Sequence, residues 1–88
     1  MKLRCAFEMV NMENEIIGVP VGENAHLIRG VLKLNKEGQE IIELLKNDTT
    51  EALIEDTLIA KYDNNRSDLV DYVRKTLAVL RCNGLIEE

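Results

Sequence analysis

The chain has 88 residues, enough for one small domain built on a single modest core. Apolar residues at 45% and charged ones at 31% exclude a disordered tail, and no apolar run is long enough to cross a membrane. Sixteen acidic against eleven basic side chains leave a charge of −5, and the aromatics are limited to Phe7, Tyr62 and Tyr72. That combination lacks the cationic footprint and the stacking platforms of a general nucleic-acid binder.

Taken in chain order, the first third alternates as strands do. Leu3, Cys5, Phe7 and Met9 interleave with more polar neighbours and predict a half-buried first strand. Asn11–Asn14 supplies turn chemistry. A second strand starts at Glu15, with Ile17, Val19 and Val21 alternating along one face and Gly18 and Pro20 on the other. Pro20 has no N–H for a ladder, so it belongs at a strand end or an edge. After a turn at Gly22–Asn24, a third strand from His26 points Ile28, Leu32 and Leu34 one way and Arg29, Val31 and Lys33 the other, with Gly30 as a bend.

At Leu34–Asn35 the hydrophobic period changes from two to 3.6. Asn35 predicts a helix N-cap and Glu37 a favourable first-turn charge, followed by an apolar face of Ile41, Ile42, Leu44 and Leu45. Asn47–Asp48 breaks that helix. Thr49 or Thr50 caps a second, whose inner stripe is Leu53, Ile54, Thr57, Leu58 and Tyr62. Asp63–Asn65 reads as a loop. Ser67 caps a third helix running to Gly84, with Leu69, Val70, Val73, Leu77 and Leu80 on its core line. Tyr72, Thr76, Val79 and Asn83 form a half-exposed stripe beside it. Residues 35–66 hold eight acidic and four basic side chains, so most of the negative charge lies there.

Chemistry-bearing motifs are missing. His26 is the only histidine, at the start of a strand pattern, and reads as a structural or exposed side chain. Cys5 and Cys82 have no metal-binding spacing and read as small, semi-buried reduced residues, with a disulfide between them as the alternative. No CxxC, HExxH, calcium loop, P-loop or dinucleotide fingerprint occurs. The expectation is a non-enzyme without metal or cofactor. Met1–Lys2–Leu3 leads into no signal-like apolar stretch, which predicts a cytoplasmic protein without a membrane partner.

From the seam onward the ordered set Leu34–Asn35–Lys36–Glu37–Gly38, Ile41, Leu44–Leu45, Thr49, Leu53 and Tyr62 resembles the signature of PqqD-like proteins. Leu77, Leu80 and Gly84–Leu85–Ile86 match that family's ending, so the resemblance spans nearly the whole chain. One departure stands at the third helix, where the family's acidic residue before the valine is Tyr72 and the acid, Asp71, comes one earlier. The resemblance implies one domain over residues 1–88, an α+β fold of a three-stranded antiparallel sheet followed by three helices, winged-helix-like. It also implies a RiPP recognition element, which binds the leader of a ribosomally made precursor peptide and presents it to a modifying enzyme, commonly a radical-SAM maturase.

In that family the leader adds as a strand to the third strand, in the groove facing the third helix. Carried onto this chain, the edge is Val31, Leu32, Lys33 and Leu34, with Arg29 and Lys33 on its outward side and Leu69, Tyr72, Val73, Thr76 and Leu80 as the far wall. The other readings are a winged-helix DNA-binding regulator and a small subunit that only buttresses a larger enzyme. The acidic second helix and the placement of Arg74, Lys75 and Arg81 away from the Tyr72 stripe speak against nucleic acid. Both a monomer and a homodimer are compatible with the pattern.

Overall fold

The structure, a computed structural model, describes residues 1–62 and 65–88; the expected loop at Asp63 and Asn64 falls outside them. The alternating third of the chain forms strands, but not in the expected division. A short β1 (Lys2–Leu3) is separated by a bend at Arg4–Cys5 from β2 (Ala6–Met12), which runs through a tight hairpin at Glu13–Asn14 into β3 (Glu15–Val21). The expected continuous strand through Leu3 and Met9 is therefore two strands in two different sheets. Three non-local bonds divide them: Leu3 N–H donates to the Leu45 carbonyl at 2.9 Å, Arg4 N–H to Leu85 at 2.7 Å, and Asn24 Nδ2 to Arg4 at 2.6 Å.

The predicted third strand is also shorter. Ala25–Leu27 forms a single 3₁₀ turn, residues 28–30 bend, and only β4 (Leu32–Leu34) pairs with β3. Gly30 has φ +87, a left-handed geometry that a side chain resists, and it turns the chain into β4 from outside the strand. Arg29 and Val31 thus lie ahead of the edge strand, and His26 sits exposed in the 3₁₀ turn with Nδ1 3.1 Å from the Glu23 carbonyl oxygen.

The sheet order is β2-β3-β4, all antiparallel, and the register decides which face each residue takes. Phe7 lies opposite Pro20, Met9 opposite Gly18, Gly18 opposite Leu32 and Ile16 opposite Leu34. Directly opposed residues share a face. The even positions of β3 therefore face the helices, and the more apolar set, Ile17, Val19 and Val21, lies on the other face. Large side chains on the two outer strands are the reason. A Cβ on Gly18 would stand 3.4 Å from Leu34 Cδ1 and 3.6 Å from Phe7 Cδ1, so the missing side chain is the space where its neighbours pack. Pro20 lies on the middle strand and not at a sheet edge, but β4 pairs no further along β3 than Gly18, so no third strand requires an N–H there.

Three helices follow: α1 (Lys36–Leu44), α2 (Glu51–Lys61) and α3 (Arg66–Cys82). The architecture is α+β, a three-stranded antiparallel sheet and three helices, as expected. Asn35 caps α1 by accepting from Gly38 N–H at 2.8 Å, and Thr50, not Thr49, caps α2 by accepting from Leu53 N–H at 3.2 Å. The cap of α3 is Asn65, two residues before the expected Ser67, and its Oδ1 accepts from Ser67 N–H at 2.8 Å. At the other end Gly84 (φ +69) closes α3: its N–H reaches the Arg81 carbonyl at 3.0 Å and Leu85 N–H reaches Leu80 at 2.9 Å. This paired closure satisfies two orphan carbonyls and drops Leu85 into the core. Ile86–Glu87 then forms β5, which pairs with β1 in a second, two-stranded sheet that the alternation did not predict.

Ile41, Ile42 and Leu45 of the first helical region, Ile54 and Leu58 of α2, and Leu69, Val73, Leu77 and Leu80 of α3 are buried together with Cys5, Phe7 and Leu85. Leu53 and Thr57 depart from the expected inner stripe; both are exposed, Leu53 by 57%, because α2 turns Ile54 and Leu58 inward instead. Lys61 Nζ bonds Glu40 Oε2 at 2.8 Å, tying the end of α2 back to α1. Both cysteines are free; Cys5 is buried, whereas Cys82 is exposed and not semi-buried.

Candidate functional site

Edge strand β4 and the half-exposed stripe of α3 face each other across a cleft of about 160 Å3. Its strand side is Leu32, Lys33 and Leu34; its helix side is Tyr72, Thr76, Val79 and Leu80; Ile42 of α1 forms the floor. The local reasons are separable. Leu32 and Leu34 share the helix-facing side of β4, so Lys33 between them points to the opposite face. Tyr72, Thr76 and Val79 are spaced four and three apart and project from one face of α3. An enclosed apolar cavity of about 150 Å3 holds one benzene molecule. This cleft has the capacity for one Leu- or Phe-sized side chain.

One end of the cleft is closed by a side-chain latch. Tyr72 Oη donates to Asn35 Oδ1 at 2.7 Å, the same oxygen that accepts from Gly38 N–H to cap α1. A single amide oxygen therefore caps α1 and anchors α3. Gly38 is buried beneath it, and a Cβ there would lie 2.7 Å from Tyr72 Oη and 3.1 Å from Leu34 Cδ2. The Leu34–Asn35–x–x–Gly38 spacing thus has a physical meaning: cap, acceptor and the one residue small enough to admit the phenol. Burial pushes the Tyr72 phenol above its usual value of 10.0, and the negative charge of Glu37 pushes the same way, against the Thr76 and Asn35 side chains. Tyr72 stays protonated at neutral pH and acts as a donor.

Of the residues expected at the site, Leu32, Lys33, Leu34, Tyr72, Thr76 and Leu80 come together around this cleft. Leu69 and Val73 do not. They are 2% and 0% exposed and belong to the core behind it. Arg29 and Val31 precede β4, so neither forms part of the edge. Ile42 and Val79 also line the cleft, beyond the residues expected there. Val79 continues the Tyr72–Thr76 stripe and is 53% exposed, a signal present in the helical spacing; Ile42 reaches the cleft only through the packing of α1. Lys33 is exposed and forms no ion pair among the described residues. Among those residues no three His, Cys, Asp or Glu side chains converge as metal ligands, and no helix is long and apolar enough to cross a membrane.

No protein-family model matches the chain, and no curated protein does. A solved structure does: TbiB1 in complex with the TbiA(beta) leader peptide, with a TM-score of 0.68 over 99% of this chain and 95% of that one, at 22% identity. The two chains share a fold. The likeness covers both the sheet and the helices, so the cleft between β4 and α3 sits within an architecture common to both.

Proposed function

We propose that this chain is a non-catalytic adaptor of the PqqD-like kind, binding the leader of a ribosomally made precursor peptide and presenting it to a modifying enzyme such as a radical-SAM maturase. The observation that carries this reading is the unpaired edge of β4 beside an apolar cleft, in a fold shared with TbiB1, itself solved with a leader peptide. An edge strand leaves alternate N–H and C=O groups unpaired, and an extended peptide satisfies them by adding a strand. Leu32, Lys33 and Leu34 supply the backbone ladder. A leader residue on the helix-facing side inserts an apolar side chain against Tyr72, Thr76, Val79 and Leu80. The neighbouring leader residue, on the other side of the new strand, comes beside Lys33, which favours an acidic side chain there.

The test is amide-shift mapping with synthetic leaders of short precursor frames found beside the gene. Shifts concentrated at residues 32–34, 72, 76 and 79 are expected; absence of binding, or shifts elsewhere, refutes the reading. Thr76→Arg fills the cleft from a half-exposed position, so it should weaken leader binding at least tenfold while changing stability by less than about 0.5 kcal/mol. Equal loss of both would mean that the stripe is core. Duplex DNA at low salt is the control and should give no anisotropy change, since even non-specific binding is strongest there.

A further inference from the structure

The sheet has two edges, and β2 is the other one. Its seven residues make no backbone hydrogen bond beyond β3 among the described residues. Glu8 is its one charged side chain, and it is otherwise long, regular and free of lysine and proline, with little to protect it as an edge. β4, by contrast, is three residues long with Lys33 at its centre. Where β2 begins, a second cleft of about 220 Å3 opens between the strand and α1, with Leu3, Cys5, Phe7 and Ile42 inside and Arg4 and Lys46 at the rim. The construction repeats that of the first cleft: an edge strand, a helical wall and an apolar interior, with Ile42 contributing to both.

The charge differs. Two cations and no carboxylate line this cleft, in a chain of net charge −5. Lys46 Nζ is paired with Glu43, which does not line the cleft, at 3.0 Å, and Arg4 Nη1 bonds the neutral Gly84 carbonyl at 3.3 Å. The nearest acid on β2, Glu8, lies opposite Val19 on the sheet face turned away from Phe7.

The geometry points to the β2 edge and its cleft as a second strand-addition site, taking an extended segment of the modifying enzyme that carries an apolar residue and, two positions along and so on the same face, a carboxylate. The apolar side chain enters between Phe7 and Ile42, the carboxylate meets Arg4 and Lys46, and the backbone pairs along β2. This rests on the adaptor reading for the identity of the partner. An adaptor must hold peptide and enzyme together, and strands added outside β4 and outside β2 stand four strand spacings apart, about 19 Å. Neither blocks the other.

The test uses the full chain and two capped hexapeptides of β-branched residues at millimolar concentration, one with Leu-Val-Asp at its centre (the Leu-Asp peptide) and one with Leu-Val-Lys (the Leu-Lys peptide), so that both probe side chains share a face. The Leu-Asp peptide should shift amides of residues 4–12 and 42–46. It should bind about fivefold more tightly than the Leu-Lys peptide, and the paired variant Arg4→Glu with Lys46→Glu should reverse that preference. Both substituted residues are exposed, so the variant keeps its fold. Absence of shifts, equal affinity for the two peptides, or shifts confined to 32–34 and 72–80 overturns the proposal. The readouts are separate: leader failure at β4 with shifts along β2 refutes the adaptor role alone, and the converse refutes only this second site.

Discussion

Replacing Gly38 by alanine is the sharpest probe of the latch, because its sign depends on a residue thirty-four positions away in the chain. Within a helix alanine is favoured over glycine by at most about 1 kcal/mol. The added Cβ, however, falls 2.7 Å from Tyr72 Oη, which must move and release its bond to Asn35. Losing that bond costs about 1 kcal/mol, and overpacking adds about 1 to 2 kcal/mol. Gly38→Ala should therefore destabilise the protein by about 1 to 2 kcal/mol, lowering Tm by roughly 4 to 16 °C for a domain of this size. In a Tyr72→Phe background the clashing oxygen is gone. The contact that remains, 3.1 Å to Leu34 Cδ2, is with the terminal methyl of a flexible side chain. There the same substitution should be neutral or stabilising by up to about 1 kcal/mol. Urea unfolding of the four proteins gives the coupling as a double-mutant cycle, expected near 2 kcal/mol. If Gly38→Ala costs the same in both backgrounds, the latch does not exist and Gly38 is needed for another reason.

Three further outcomes follow from the same geometry. Asn35→Ala removes the α1 cap and the Tyr72 acceptor together and should cost about 2 kcal/mol in urea unfolding, whereas Asn35→Ser keeps the cap and should recover about half. In a Tyr62→Phe protein, absorbance at high pH should show Tyr72 ionising above pH 10.0; because its folded value is raised, its contribution is complete below the unfolded value and lost as pH rises through the folded one. Leader binding should fall over that same alkaline window, and binding that stays flat through it would detach Tyr72 from the site. Leu77→Ala empties a fully buried position and should cost about 2 to 5 kcal/mol by thermal or urea melting, a large share of the stability of so small a domain; a loss under 1 kcal/mol would contradict the core assignment.

Several local features are legible in the order of residues, although the α3 cap is Asn65 and not Ser67, and Leu53 and Thr57 face solvent. Asn35 at the start of α1, Gly84 at the end of α3 and the buried line of Leu69, Val73, Leu77 and Leu80 are all visible in the order of residues. They follow from capping chemistry and the 3.6-residue period, which act within one or two turns. The Tyr72–Thr76 stripe that walls the cleft was visible for the same reason. The face of β3 was not. Ile17, Val19 and Val21 are the more apolar set, and pattern alone puts them inward. Opposed residues Phe7, Leu32 and Leu34 reverse that, because their bulk needs the vacancy at Gly18.

The sequence by itself determined the fold class, the helix boundaries to within a residue or two and the absence of catalytic motifs, since each rests on short-range pattern. Only the tertiary structure decided which strands meet. It moved β1 to pair with β5, shortened β4 to three residues and left β2 open along seven. It also gathered Ile42, Tyr72 and Gly38 around one cleft and its latch. Pairing and cleft formation depend on contacts between residues far apart in the chain, and the free energy of those contacts exists only once the whole core has closed around them.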